Sequence, residues 1–176
     1  MPELRLPPNL RLAESADCDR LAQLLREAFD FHGEETPLQA AEMAPHLAHH
    51  LNATPGFEAL LAISGGKAQG FALFSPVYWT GDSALALFLK ELFVSGEARG
   101  QGLGQVLMSG LAAIAAQRGW QRIVWTVDHG NRQAFEFYEG LPGATRLDKS
   151  SYAISGEALK ALAEAAKGDA GGDTET

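Results

Sequence analysis

Apolar positions in the first third of the chain predict one short strand followed by two helices. The Pro7-Pro8 pair prevents an earlier helix start, and residues 10–13 then form a candidate strand. Helical spacing of apolar residues over 18–29, with Ser15 as the candidate N-cap, predicts a first helix. A second helix is predicted over 38–51, broken or begun afresh near Pro45, because a proline inside a helix removes a backbone hydrogen bond.

The middle of the chain predicts a meander of three antiparallel strands. Two apolar runs, 57–63 and 69–77, flank a glycine turn, which favours a hairpin. A third apolar run, 84–94, follows a second polar turn. Three consecutive strands joined by short turns therefore supply most of the expected sheet.

The last part of the chain predicts a crossover. An apolar stripe over 104–118 indicates a helix, 122–127 a short β-branched strand and 131–139 another helix. Residues 152–154 form a candidate last strand, and 156–167 a final amphipathic helix. We therefore expect an α/β (α+β) fold: a mixed, mostly antiparallel twisted sheet with helices on both faces and a βαβ crossover.

Length and charge narrow the class of protein. The 176 residues suggest a single domain over 10–167, after a leader at 1–9 and before a flexible acidic tail at 168–176. With 14 Lys and Arg against 22 Asp and Glu, the net charge of −8 disfavours nucleic acid as a partner. No signal-peptide core or membrane-length apolar stretch is evident, so we expect a soluble, cytoplasmic protein without a membrane partner.

The strongest chemical signal is residues 91–104, where an apolar strand runs through a glycine-rich turn into an amphipathic helix. Such a turn exposes backbone N–H groups at the positive end of the helix, which suits a phosphate or pyrophosphate. Gln105 and Leu107 stand where a dinucleotide fingerprint needs glycine, and no Walker lysine is present. The alternative is a plain tight strand-to-helix connection.

Arg99, Gly102 and Gly104 fill a motif of Arg or Gln, two residues, Gly, one residue, then Gly or Ala. A second motif follows in register, with Asn131, Ala134 and Phe137-Tyr138. Over Arg11 to about Leu162 the chain resembles the GNAT superfamily of N-acetyltransferases, most of all its diamine (spermidine/spermine) acetyltransferase branch. The segments with counterparts in that branch are DCDRLAQLLREAFDFHGEETP, GFALFSPVYW, LKELFV and SYAISGEALKAL.

The resemblance implies acetyl-CoA as cosubstrate, bound where the βαβ crossover begins. It assigns the pantetheine arm to backbone groups of a splayed strand and the pyrophosphate to the glycine turn. Asn131 and Ala134 belong to the second cofactor-binding motif, although Asn131 alone is also a plain helix N-cap. The strand residues are Leu92, Phe93 and Val94, and the turn residues are Arg99, Gly100, Gln101, Gly102, Leu103 and Gly104.

Amine acetylation requires an acid and a base. An ammonium with a pKa of about 10.4 must lose a proton before it attacks, and a departing thiolate gains from a proton donor. Tyr138 matches the family position of the acid, with a core aromatic as the alternative. Lys90-Glu91 stands where the diamine branch has an acidic pair, so Glu91 is the candidate base and an ordinary solvent-facing strand residue is the alternative.

Acceptor binding is predicted in two places besides Lys90. The loop after the first helix corresponds to the amine-binding region of the branch, and its two carboxylates attract cations; the alternative is a solvated acidic loop. An aromatic pair at a strand end offers a face for an ammonium group or serves in packing. The loop residues are Phe31, His32, Glu34 and Glu35, and the aromatic pair is Tyr78 and Trp79. Lys90 favours a small primary amine over a long polyamine.

Two groups are assigned no chemistry. His46, His49 and His50 have helical spacing but no completing acidic ligand, so we expect a solvated helix face and no metal. Cys18, the only cysteine, is expected to be buried, which favours direct transfer over an acetyl-enzyme. The expected function is acetyl-CoA-dependent acetylation of a small-molecule primary amine, with a homodimer as the candidate assembly. The alternatives are a non-catalytic acyl-CoA-binding regulatory module and a nucleotide site.

Overall fold

The computed structural model describes residues 6–36 and 38–168. The chain divides into two compact units, residues 1–135 and 136–176. Residues 1–5 of the predicted leader and 169–176 of the predicted tail lie outside the described residues. The strands are β1 (Leu10–Leu12), β2 (Glu58–Ser64), β3 (Lys67–Trp79), β4 (Ala84–Val94) and β5 (Ile123–Trp125). The α-helices are α1 (Cys18–His32), α2 (Ala40–His50), α3 (Leu103–Gln117), α4 (Arg132–Glu139) and α5 (Gly156–Gly168), with 3-10 turns at Ser15–Asp17 and Gly96–Ala98.

The first unit is built on one sheet whose spatial order equals its chain order, from β1 to β5. The first four strands are antiparallel neighbours, and β5 is parallel to β4 through the crossover helix α3. This topology confirms the predicted meander followed by a βαβ unit. The parallel pairing is short, because only Leu87, Phe88 and Leu89 of β4 pair with β5.

Helices cover both faces of this sheet, as the sequence predicts. The face that carries Leu61, Phe71 and Phe93 packs into one buried cluster with α1 and α2. The opposite face packs against α3, where Gly110 allows close approach: a Cβ at that position would lie 2.5 Å from a methyl of Leu10 and 2.7 Å from a methyl of Leu60. The site described below lies on the α1–α2 face.

Helix α2 is continuous through Pro45, so the predicted break is wrong. A capping box between Gln39 and Glu42 satisfies its first turn, and Met43 and Ala44 are buried against the α1–α2 cluster. Burial of this apolar face outweighs the single backbone bond that the proline removes. Ser15 is likewise not the N-cap of α1, because it begins a 3-10 turn that is capped by Glu14 and leads into the helix.

The predicted last strand at 152–154 is also wrong. These residues carry no regular secondary structure, and the Tyr152 side chain is 95% exposed. A three-residue apolar alternation defines a strand only when a neighbouring strand accepts its hydrogen bonds. In the second unit, the regular structure among the described residues is the end of α4 and α5.

Candidate active site

A β-bulge divides β4 just before the candidate base. Leu73 of β3 pairs with Glu91 and the next β3 residue, Phe74, pairs with Leu89, so Lys90 has no partner on β3. The bulge gives Glu91 the face of Leu73, which is the face covered by α1 and α2. A bulge inserts an extra residue and re-aims side chains, so the strict alternation of faces does not hold between Lys90 and Glu91.

Beyond the bulge, one edge of β4 has no strand beside it. Pairing with β5 ends at Leu89, whereas β4 continues to Val94. The Ser95 N–H donates to the Gln69 carbonyl of β3. Alternate residues of an antiparallel strand direct their backbone groups to the same neighbour. The backbone N–H and C=O of Phe93 therefore point to β3, while those of Leu92 and Val94 point to the open edge. The Phe93 side chain is buried in the α1–α2 cluster.

The glycine turn leads from this open edge into α3. Gly100 and Gly102 have φ of +77° and +75°, and a Cβ added at either position would meet no atom within 4 Å. Gly102 is the N-cap of α3, whose first intrahelical bond runs from the Val106 N–H to the Gly102 carbonyl. The preceding N–H groups, including those of Leu103, Gly104 and Gln105, have no acceptor within the helix. The turn therefore presents an open cradle of donors that fits an anionic group such as a pyrophosphate.

Arg99 links the open edge of β4 to the end of α1. Its Nε donates to the Val94 carbonyl at 3.0 Å, and its guanidinium carbon lies 3.7 Å from the centre of the Phe31 ring. Phe31 lies in turn 6.1 Å from Phe93, ring centre to ring centre. A cation stacked on an aromatic face is favourable, so Arg99 holds the predicted acceptor loop close to the predicted cofactor strand.

Glu91 lies at the centre of the charged groups near this edge. Its Oε1 is 3.9 Å from Nε2 of His32, and the two side chains are only 28% and 24% exposed. Burial raises the pKa of Glu91, an effect that Lys90 and His32 oppose and that Glu34 and Asp128 reinforce. A carboxylate whose pKa is raised by desolvation is a better proton acceptor than an ordinary surface glutamate.

The structure thus brings together part of the predicted site. Phe31, His32, Glu34, Lys90 and Glu91 lie around one point at the end of α1 and β4. Glu35 lies exposed in the same loop, and the Gln101 side chain reaches Ser64 at 3.5 Å.

The aromatic pair at the end of β3 is not brought to this point. Trp79 lies six residues beyond Leu73 along β3, about 20 Å from the level of Glu91. Its ring stacks under Arg122, and the Tyr78 side chain is 60% exposed. Both residues are therefore separated from the Glu91 cluster.

The second predicted motif begins as a helix cap. The Asn131 Oδ1 accepts the Ala134 N–H at 3.0 Å, so Asn131 caps the first turn of α4. Tyr138 lies on the last turn of α4, in the second unit, and its half-buried ring packs edge-on against Phe137 at 5.0 Å.

Two features of the site were missed from sequence. The first is Asp128, which follows β5 and whose charge reinforces the raised pKa of Glu91. Because β5 is parallel to β4 and parallel strands end at the same sheet edge, a carboxylate just after β5 was the sequence signal for it. The second feature is a cavity of about 340 Å³ on the α1–α2 face, lined by residues of β3, β4, the end of α2 and the loop that follows α2. Its position depends on tertiary packing, which no local motif records.

A larger cleft of about 550 Å³ lies between α1, the start of β3 and the 3-10 turn after β4. Its lining mixes Arg20 and Lys67 with Glu27 and Glu97, and it does not include Glu91. Of the other groups considered, Cys18 is buried, and the rings of His49 and His50 pack edge-on at 4.6 Å.

The described residues, 6–36 and 38–168, offer neither a metal-binding cluster nor a membrane-spanning helix. They contain no group of three or more His, Cys, Asp or Glu side chains arranged to hold a metal ion. Within the same ranges, no helix has the length and apolar character needed to cross a membrane.

Comparisons with known proteins agree with this geometry. The sequence model of a family described as "Acetyltransferase (GNAT) family" matches residues 18–141. Thialysine N-epsilon-acetyltransferase of Sus scrofa is 27% identical over 168 residues, covering 88% of this chain and 96% of that protein. An integron cassette protein from V. cholerae superimposes with a TM-score of 0.78 at 25% identity, over 90% of this chain and 99% of the other. Ribosomal-protein-alanine N-acetyltransferase of Brucella melitensis gives 0.69 at 25% identity, over 83% and 97%.

Proposed function

The chain belongs to the acetyltransferase (GNAT) family and is an acetyl-CoA-dependent N-acetyltransferase, and we propose that it transfers acetyl directly to the primary amine of a small molecule. The observation that carries the proposal is the juxtaposition of a half-buried carboxylate, Glu91, with an open strand edge and a glycine-rich helix start. Acetyl-CoA supplies the activated acetyl thioester.

The residues of this chain fit that cosubstrate. Backbone groups of Leu92 and Val94 at the open edge bind its amide-containing arm, and the N–H groups from Gly100 to Gly104 bind its pyrophosphate. Arg99 keeps the two segments together through Val94. Phe93 contributes packing below them, and Asn131 and Ala134 form the helix start of the second motif.

Glu91 is proposed as the base. It accepts the proton that the acceptor ammonium releases, so that a neutral amine attacks the acetyl carbon. Burial favours this role by raising the pKa of Glu91 toward that of the amine. A new N–C bond forms, the C–S bond breaks, and the sulfur leaves with the electron pair. The acetylated nitrogen releases its second proton to solvent.

Tyr138 is proposed as the acid that gives a proton to that sulfur. The support is its register in the second motif, seven residues after Asn131, on the last turn of α4. A phenol hydroxyl can donate this proton and recover it from solvent.

The acceptor is proposed to meet Phe31, His32 and Glu34 near Glu91. The family relative above is named for acetylating the ε-amine of thialysine, which supports a terminal amine on a flexible chain. Glu35 is retained as a long-range attractor of cations, and Tyr78 and Trp79 as an aromatic face for a cationic or apolar group away from Glu91. No metal is part of this proposal.

A cytoplasmic location and a homodimer complete the proposal. The single cysteine, which is free and buried, suits a reducing compartment, and the homodimer follows the family resemblance. Light scattering after size exclusion tests the dimer.

The function is tested by thiol release from acetyl-CoA across a panel of primary amines, combined with thermal shifts on adding acetyl-CoA, CoA, ATP or NAD. We expect stabilisation by acetyl-CoA and CoA only, and thiol release that depends on the amine. Stabilisation without thiol release from any amine would favour the regulatory module, and a response to ATP or NAD alone would favour a nucleotide site.

A further inference from the structure

The cavity of about 340 Å³ adjoins the candidate base on the α1–α2 face of the sheet. Leu73 both lines this cavity and pairs with Glu91 across the two strands. Ser75 and Phe88, the next pair on the same face, also line it, so the cavity begins at Glu91 and extends along the strands. Its size is at the lower end of the range for small-molecule sites.

The basic side chains that line this cavity are not balanced by acidic ones. Lys90 and His50 line it together with the apolar side chains of Phe57 and Phe88, and none of the described lining residues is acidic. Around Glu91, by contrast, Lys90 and His32 are mixed with Glu34 and Asp128. The carboxylates around Glu91 suit an ammonium group, and the cavity beside Lys90 suits an anion.

Lys90 is available for a ligand. It is the unpaired residue of the β4 bulge, and within the part of the chain that the structure describes it makes no hydrogen bond or ion pair. His50 is held at the end of α2, where its carbonyl accepts the Phe57 N–H at 3.1 Å. Gly56 lets the loop approach so closely that a Cβ there would collide with this same carbonyl. The wall that carries His50 is thus fixed by backbone contacts.

We propose that this cavity is an anion subsite, in which Lys90 and His50 bind the carboxylate of an acceptor whose amine lies at Glu91. Resting on the proposed acetyl transfer, this names the substrate class as an amino acid with a terminal amine. Leu73, which pairs with Glu91, and Ser75, which lines the cavity beyond it, are two residues apart on β3, or about 7 Å. An extended chain covers about 3.5 Å in three bonds, so amine and carboxylate are separated by about six bonds.

The test compares two acceptors that differ in one charge. 6-Aminohexanoate has the required spacing, and 6-aminohexanamide keeps its length and amine but has no carboxylate. Calorimetry measures binding of each compound, and thiol release from acetyl-CoA measures its KM. We expect 6-aminohexanoate to bind, and to saturate the enzyme, at about five- to tenfold lower concentration than the amide.

Two variants of Lys90 identify the residue responsible. Lys90→Gln should abolish the preference for the carboxylate in binding, and Lys90→Arg should restore it. Lys67→Gln, which removes a lysine from the first position of β3, at the other end of that strand, is the matched control and should keep the wild-type preference.

Equal binding of the two compounds by the wild type, or a preference that survives Lys90→Gln, would overturn the subsite. A carboxylate preference in binding without thiol release would instead refute the acetyl transfer while leaving the subsite in place. The binding measurement therefore decides the subsite whether or not turnover is observed.

Discussion

At the scale of single residues, the proposed chemistry depends most on the Tyr138 hydroxyl. Tyr138→Phe keeps the half-buried ring beside Phe137 but removes the proton for the departing sulfur. We expect kcat to fall about 100-fold or more while the affinity for acetyl-CoA changes little. Steady-state thiol release measures kcat.

Tyr152→Phe, which removes a hydroxyl from a ring that is 95% exposed, is the control and should keep wild-type turnover. Equal turnover in both variants would exclude Tyr138 as the acid.

Glu91 is expected to show opposite effects on activity and on stability. Because burial raises the pKa of Glu91, wild-type activity should be lost on acidification at a higher pH than an ordinary glutamate would give. Glu91→Gln should lower kcat about 100-fold or more and remove this ionisation from the pH profile. Surface Glu157→Gln should leave the profile unchanged.

The sign of the stability effect follows from linkage. A carboxyl whose folded-state pKa is raised stabilises the protein at low pH, and this contribution is lost as the pH rises through the raised value. At pH 7 the charged Glu91 therefore costs free energy, and Glu91→Gln should unfold at an equal or higher temperature than the wild type. A clearly lower Tm at pH 7 would indicate a structural role for the carboxylate.

At the scale of elements, the turn into α3 is the proposed binding site of the cosubstrate pyrophosphate. Gly102→Val introduces a β-branched residue at φ +75° and fills the open space of the cradle. We expect at least a tenfold weaker affinity for CoA by calorimetry, since the backbone can no longer approach the pyrophosphate. Gly119→Val has comparable strain, at φ +72° in open space just beyond the other end of α3, and should lose stability but not CoA affinity. Equal CoA affinity in both variants would refute the cradle.

The stability of the protein should depend on the absence of a side chain at Gly70, where β3 lies close to β4. A Cβ on Gly70 would lie 2.9 Å from the Phe93 carbonyl, which is backbone and cannot swing away. Gly70→Ala should therefore destabilise the protein by about 1–3 kcal/mol in urea unfolding. Gly96→Ala, where a Cβ meets nothing within 4 Å, should stay within about 0.5 kcal/mol of the wild type.

Elements were predictable from sequence where local signals agreed. The strand, glycine turn and helix over residues 91–104 combine an apolar run, turn residues and helical spacing, and the structure has all three. Pro45 and the 152–154 segment were mispredicted because burial against α1 and the absence of a pairing strand are tertiary facts. The pairing of His32 with Glu91 likewise requires α1 to lie across the end of β4.

The Lys90 bulge explains why only part of the proposed acceptor site could be predicted from the sequence. Alternation along a strand puts residues 90 and 91 on opposite faces, but a bulge breaks the alternation and leaves no local mark in the sequence. His50 and Phe57 reach the same cavity from a helix end and the following loop. Their contribution could not be inferred from spacing.

At the scale of the whole molecule, the acidic net charge and the anionic cosubstrate impose different requirements. A charge of −8 attracts cationic amines at long range and repels CoA, so cosubstrate affinity must come from short-range donors in the turn after β4. The proposed site therefore keeps the acceptor region near Glu91 apart from the cosubstrate region at the glycine turn.

The most direct test of this account is the initial velocity of thiol release with acetyl-CoA and 6-aminohexanoate both varied. Direct transfer with both substrates bound predicts intersecting double-reciprocal lines, release that depends on the amine, and an N-acetylated product. Parallel lines would contradict direct transfer by indicating an acetyl-enzyme, and the absence of amine-dependent release with every primary amine tested would contradict the enzyme itself.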